Sequence, residues 1–216
     1  MVVDLALTLV DEAGPRGFDQ LTLAGVAARA GVAVPSLYKH VGSLADLRRE
    51  VAVVAVRGLV DAVDAATAGA TGSDAVQRLA RAVRVYARSW PGRYAATQVA
   101  PDATDPADEP LRLVANEAAH LVAEVLAGSG SGPRAHADAL AGPGGGGARS
   151  SGATRSEPLT GAALVNTVRT VRAAVHGFVV LELGGGFGLP EDVDASFDHL
   201  VATLVAGLPR VPAGIA

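Results

Sequence analysis

The sequence has no cysteine, which excludes disulfide staples and thiolate chemistry and fits a reducing compartment. Aromatic residues are scarce, 4% of 216 residues, although 50% are hydrophobic. A core of this chain must therefore be built from alanine, valine and leucine, small side chains that suit closely approaching helices. There is no positive excess. The net charge of −4 excludes a broadly basic nucleic-acid coat and leaves only a local patch as a route to DNA. Lysine is nearly absent: seventeen of the eighteen cations are arginine, and the one lysine is Lys39. No unbroken apolar run reaches the ~18 residues that span a bilayer. Asp4, Asp11 and Glu12 interrupt the first segment, with no basic region before it, so it is no secretory signal. Catalytic signatures are also missing. There is no Gly-x-Ser-x-Gly elbow and no Gly-Lys-[Ser/Thr] phosphate loop, and the Gly144–Gly147 run is followed by neither a lysine nor a helix start. The five histidines are scattered, and none forms a His-x₃-His pair with a carboxylate. These absences describe a soluble, cytoplasmic protein that is not an enzyme and that holds no metal or cofactor.

What is present is helical periodicity. Val2, Leu5, Ala6, Leu9, Val10 and Ala13 recur at helical spacing until Gly14-Pro15. Gly17-Phe18 reads as a turn with one apolar anchor. Thr22 can cap a helix over 23–30, with Gly25 where a capping box would want Glu or Gln. Gly31 ends that helix in a left-handed turn. A third helix is expected over 34–41, and Ser43 caps a fourth reaching about residue 68. Further helices are expected over 74–89, 111–127, 164–183 and 192–207. Between them, residues 101–110 form an acidic, proline-rich loop. Residues 128–161 hold ten of the 26 glycines and read as a flexible Gly/Ser-rich insertion. No strand pattern and no repeat emerges, so the expected fold class is all-α.

Three short helices joined by glycine turns within about forty residues form a helix-turn-helix unit. Ala27 and Gly31 allow close approach, and Val26, Ala30, Val32 and Leu37 supply its core. That leaves Val34, Pro35, Ser36, Tyr38, Lys39 and His40 on the outer face of the third helix. A recognition helix enters the major groove by its N-terminal end. Pro35 falls in the first turn, where its missing N–H costs little. Val34 or Pro35 can meet a thymine methyl and Ser36 a base edge, while Tyr38, Lys39 and His40 suit phosphates.

The stretch "LTLAGVAARAGVAVPSLYKHVGSLADL" resembles the DNA-binding domain of the TetR family of bacterial repressors. The shared features are Thr22 before its helix, Ala27 with Gly31, Leu37-Tyr38-Lys39-His40, and Ser43 before a long fourth helix. The later stretch "AAVHGFVVLELGGGFGLPEDVDASFDHLVATLVAGL" resembles the C-terminal half of one TetR subgroup with His-Gly in a late helix. The sequence departs from the family in lacking a basic arm before its first helix. It also has Ala24, Leu44 and Ala45 at positions that are often basic in members.

The resemblance implies a DNA-reading head over residues 1–45 and a ligand-binding and dimerisation domain over 46–216. Thr22, Val34, Pro35, Ser36, Tyr38, Lys39, His40 and Ser43 would meet a double-stranded DNA operator. Tyr86, Trp90, Tyr94, Asn116, His120 and His176 are candidates for the pocket of a small-molecule inducer, with ordinary core packing as the alternative. Val175, Phe178, Val179, Glu182, Phe197, Leu200, Val201 and Leu204 would form the homodimer interface. The implied function is a repressor released from its operator by a small molecule, with no membrane partner. The rival reading is a helical small-molecule-binding protein with weak or lost DNA binding.

Overall fold

The computed structural model describes residues 1–128 and 161–208, and every regular element among them is a helix. The insertion expected over 128–161 lies, apart from its end residues, outside the described residues. In order, the helices are α1 (Val2–Glu12), α2 (Gly17–Gln20), α3 (Leu23–Ala30), α4 (Val34–Leu37) and α5 (Leu44–Thr67). They continue with α6 (Gly72–Ser89), α7 (Pro91–Ala96), α8 (Glu109–Leu126), α9 (Gly161–Leu183) and α10 (Val193–Gly207). Short 3₁₀ turns precede α2 and α8.

Local chemistry fixes most boundaries. Thr22 Oγ1 accepts from the Gly25 N–H at 3.1 Å, and Ser43 Oγ accepts from the Asp46 N–H at 3.0 Å. Each satisfies an otherwise orphan donor at a helix start. Gly31 takes φ +69°, and α3 closes with Val32 N–H to the Ala27 carbonyl and Gly31 N–H to that of Ala28. This is a Schellman ending. It turns the residue after the glycine outward, so Val32 is 44% exposed and not in the core as expected. The Gly17-Phe18 turn is instead the start of the one-turn α2, with Phe18 buried. Helix α4 is also shorter than expected. It stops at Leu37, whose carbonyl receives the N–H groups of both His40 and Val41, so Tyr38, Lys39 and His40 occupy turns.

Two apolar cores result. The head core joins Ala6, Val10, Phe18, Leu21, Val26, Ala27, Leu37 and Val41 to Leu47, Val51 and Ala55 of α5. The body core gathers α6, α8, α9 and α10 around Ala52, Val56, Val60 and Val63 of the same helix. Alternate faces of α5 thus serve both cores, and the head's packing runs past position 45 as far as Ala55.

A second joint lies at α7, which packs on α1, α2 and the turn between them. Here the Val10 carbonyl lies against two glycines. A Cβ built on Gly17 or on Gly92 would overlap its oxygen, and one on Gly92 would also come within 2.8 Å of the Gly14 carbonyl oxygen. Arg93 beside it grips Asp11 of α1 in a fork, with Nε at 2.9 Å and Nη2 at 2.6 Å from the two carboxylate oxygens.

Among the described residues, α9 is the one helix long and apolar enough to cross a bilayer. It packs its Val171, Val175 and Val179 stripe on the body and carries Arg169 and Arg172 on its exposed side.

Candidate nucleic-acid interface

The caps and the Schellman turn set α4 across the end of α3, and Leu37 anchors it in the head core. Pro35, in the first turn of α4, Ser36, Tyr38, Lys39 and His40 are all exposed, and Val34 is half-buried. Tyr38 is 56% exposed and lies beyond the core that Leu37 fills. The exposed edge is therefore a short helix tip followed by a turn carrying a phenol, an ammonium and an imidazole. Thr22 is exposed, and its hydroxyl keeps its own proton to donate while its oxygen caps α3. Ser43 is half-buried, and its hydroxyl proton is already given to Asp46 Oδ2 at 2.8 Å.

The charges of this region divide sharply. Arg29 forks onto Glu12, whose carboxyl is held below its usual pKa by that hydrogen bond. Arg48 donates to the Asp19 and Leu21 carbonyls and lies 5.9 Å over the Phe18 ring. Arg49 is enclosed by Asp46, Asp105 and Asp108. These three arginines hold the head together and bind it to the loop before α8. Lys39 makes no ion pair or hydrogen bond among the described residues. It is the one Lys or Arg of residues 21–50 left with its charge uncommitted.

The candidate pocket residues do not gather into one lining. Tyr94 and His176 do meet, the tyrosine hydroxyl lying 3.0 Å from His176 Nδ1. Burial pushes the Tyr94 hydroxyl up to about 12 and lowers the His176 imidazole below its ordinary value, assisted by the positive charge of Arg172. Tyr86 is buried, but its hydroxyl is engaged by the Ala55 carbonyl at 2.8 Å. Trp90 is exposed with Arg93 stacked 4.5 Å over its ring. Asn116 and His120 are exposed on α8.

The expected interface residues divide between the chain's own core and its half-buried edge. Val175, Val179, Phe197 and Val201 are buried in the chain's own body core, with Phe178, Leu200 and Leu204 packed against it. Glu182 is bound to Arg84 at 2.8 and 2.6 Å. Phe178, Glu182, Leu200 and Leu204 stay half-buried. Valine and leucine stand on both sides of α9, and Val171, Val175 and Val179 form the stripe packed on the body. On the outer side, Val165, Val180 and Leu181 are about half exposed.

Reasoning from sequence also missed two long-range ties. Arg84 lies 4.7 Å over the Phe197 ring while holding Glu182 and Asp194, and so fastens α6 to α9 and α10. Arg93 and Asp11 tie body to head. Neither leaves a local signal, because the partners are 98 and 82 residues apart.

A helix-turn-helix head sharing one long helix with an all-helical body defines a class of DNA-binding regulators. Comparison with known proteins narrows it. The family description "Bacterial regulatory proteins, tetR family" matches residues 9–51, and "Tetracyclin repressor-like, C-terminal domain" matches residues 76–204. An HTH-type transcriptional regulator of Mycobacterium tuberculosis is 32% identical over 97% of this chain and 80% of its own length. Among solved structures, the TetR family transcriptional regulator PfmR from Thermus thermophilus superposes with a TM-score of 0.61 at 15% identity. That match covers 97% of this chain and 96% of the other. A TetR variant from Acinetobacter baumannii, in complex with minocycline, gives 0.56 at 20% identity over 95% and 93%. The chain belongs to the TetR family of transcriptional regulators.

Proposed function

We propose that the chain is a ligand-responsive repressor that acts in the cytoplasm as a homodimer on double-stranded DNA. The observation that carries the DNA-reading part is the exposed edge at 34–40, where Lys39 alone keeps its charge uncommitted. Val34, Pro35 and Ser36 enter the major groove at the helix tip, while Tyr38, Lys39 and His40 hold phosphates alongside. Thr22 donates its free hydroxyl proton to the backbone of the DNA. Ser43 acts through its cap, by fixing where α5 begins.

The second subunit packs on the outer faces of α9 and α10, burying Val165, Val180 and Leu181. The two recognition helices then face successive major grooves about 34–36 Å apart. The inducer is a small molecule received in the body beside Tyr94 and His176; the minocycline complex of the Acinetobacter protein supports a body of this fold as a receptor. Tyr94 belongs to α7, the helix that also carries Gly92 and Arg93 against α1. A ligand that prefers a shifted α7 would shift the head with it, and only such a preference releases the operator.

The test is DNA binding against salt. Wild-type protein is expected to bind duplexes selected from a random pool with affinity that falls steeply as salt rises. Lys39→Ala should weaken binding to all sequences alike and reduce the log–log salt slope by about 1 for each phosphate left without its cation. A wild-type protein with no salt-dependent duplex binding would sink this reading and leave a helical ligand binder.

A further inference from the structure

The single lysine matters beyond its charge. Every other cationic side chain is a guanidinium, which stays protonated and offers an acyl donor no lone pair. Lys39 is the only side-chain amine in the chain. It is exposed, it lies just beyond the end of α4, and among the described residues it makes no ion pair or hydrogen bond that would hold its nitrogen. The arginines around it are engaged: Arg29 by Glu12, Arg48 by two carbonyls, Arg49 by three aspartates. Among the Lys and Arg of residues 21–50, the uncommitted positive charge is therefore concentrated on one atom with acylation chemistry.

We propose that Lys39 is an acylation site at which an activated acyl group, from an acyl phosphate or an acyl thioester, switches DNA affinity. This rests on the DNA-reading role given to the 34–40 edge. In the step, the lone pair of the neutral ε-amine attacks the acyl carbonyl carbon. A C–N bond forms, the C–O bond of the acyl phosphate or the C–S bond of the thioester breaks, and phosphate or thiolate leaves with the electron pair. The nitrogen gives its proton to water. The product amide is neutral, so one charge is lost from the phosphate-facing edge of each subunit.

The experiment incubates the full chain with acetyl phosphate in one arm and acetyl-coenzyme A in the other. Peptide mass mapping then locates the acetyl groups, and affinity for a mixed-sequence duplex is measured at fixed salt before and after. The expected result is acetylation of Lys39 in at least one arm, which identifies the donor class, with duplex affinity lower by about three- to tenfold per head. Lys39→Arg, measured against its own untreated affinity, should show no loss on treatment, and Lys39→Gln should start at the weakened value. Three results overturn the proposal: acetyl at the α-amine with Lys39 untouched in both arms, acetylated Lys39 with unchanged affinity, or equal losses in wild type and Lys39→Arg. Duplex binding by the untreated protein separates these failures from failure of the DNA-reading role, which shows as no binding before treatment.

Discussion

Gly92→Ala is a one-carbon perturbation at the joint between head and body. The added methyl would overlap the Val10 carbonyl oxygen and lie 2.8 Å from both the Gly14 carbonyl oxygen and Val10 Cγ1. Two of these three neighbours are backbone atoms within or just after α1, and no side-chain rotation relieves them. Normal carbon–oxygen contact needs α7 to retreat by about 1 Å, and overpacking of this kind costs about 1–3 kcal/mol. The retreat also stretches the Arg93–Asp11 fork, whose closest bond is 2.6 Å. The expected outcome is a Tm lower by about 3–10 °C for a chain of this size. Affinity for a selected operator should change as well, because the head moves with α1. Urea unfolding at fixed protein concentration and fluorescence anisotropy on a labelled duplex measure the two effects. A variant within about 0.5 kcal/mol of wild type, the range of an ordinary surface change, with unchanged operator affinity would refute the close packing argued for α7 on α1.

Other residues give independent tests. Arg84→Met leaves Glu182 without its main partner inside the body and should cost about 2–4 kcal/mol in urea unfolding. Arg84→Met with Glu182→Leu should recover most of that loss, and a double variant as unstable as the single one would contradict the pairing. Burial lowers the pKa of His176, so just below its unfolded value of 6.5 the unfolded chain takes up a proton more readily than the folded chain. Stability should therefore fall as pH drops below about 6.5 and level off beneath the lowered folded value. Comparison of urea midpoints with His176→Asn, expected to be flatter across that window, checks the sign. Leu181→Glu or Val180→Glu should leave a folded chain that sediments as a monomer at concentrations where wild type is dimeric; identical sedimentation of both variants and wild type would remove the outer face of α9 from the interface.

The legible parts of this chain are those whose cause lies within four or five residues. Thr22, Gly31 and Ser43 announced the ends of α3 and the start of α5 because a cap or a left-handed turn is settled between near neighbours. The outer edge at 34–40 followed from Leu37 alone, since one buried anchor decides what the rest of a short helix exposes. Val32 failed because the closing hydrogen bond to Ala27, not its apolar character, decides its direction. The inward stripe of α9 was not legible for a different reason. Valine and leucine stand on both sides of α9, so periodicity cannot tell the stripe that meets α6 and α8 from the one left outside. Glu182 resembled an interface charge because its partner, Arg84, comes from another helix far back in the chain.

The long helix α5 has a mechanical side. Its 24 residues make a rod of about 36 Å, clamped in the body at one end and carrying the recognition turn at the other. A rod of that length turns small angles into large travel: a tilt of ~5° at the clamp sweeps the far tip by roughly 3 Å, about the rise of one base pair. The fold therefore needs no hinge between its two parts to change what the heads can reach. Stiffness, supplied by a helix that both cores grip, does the gearing.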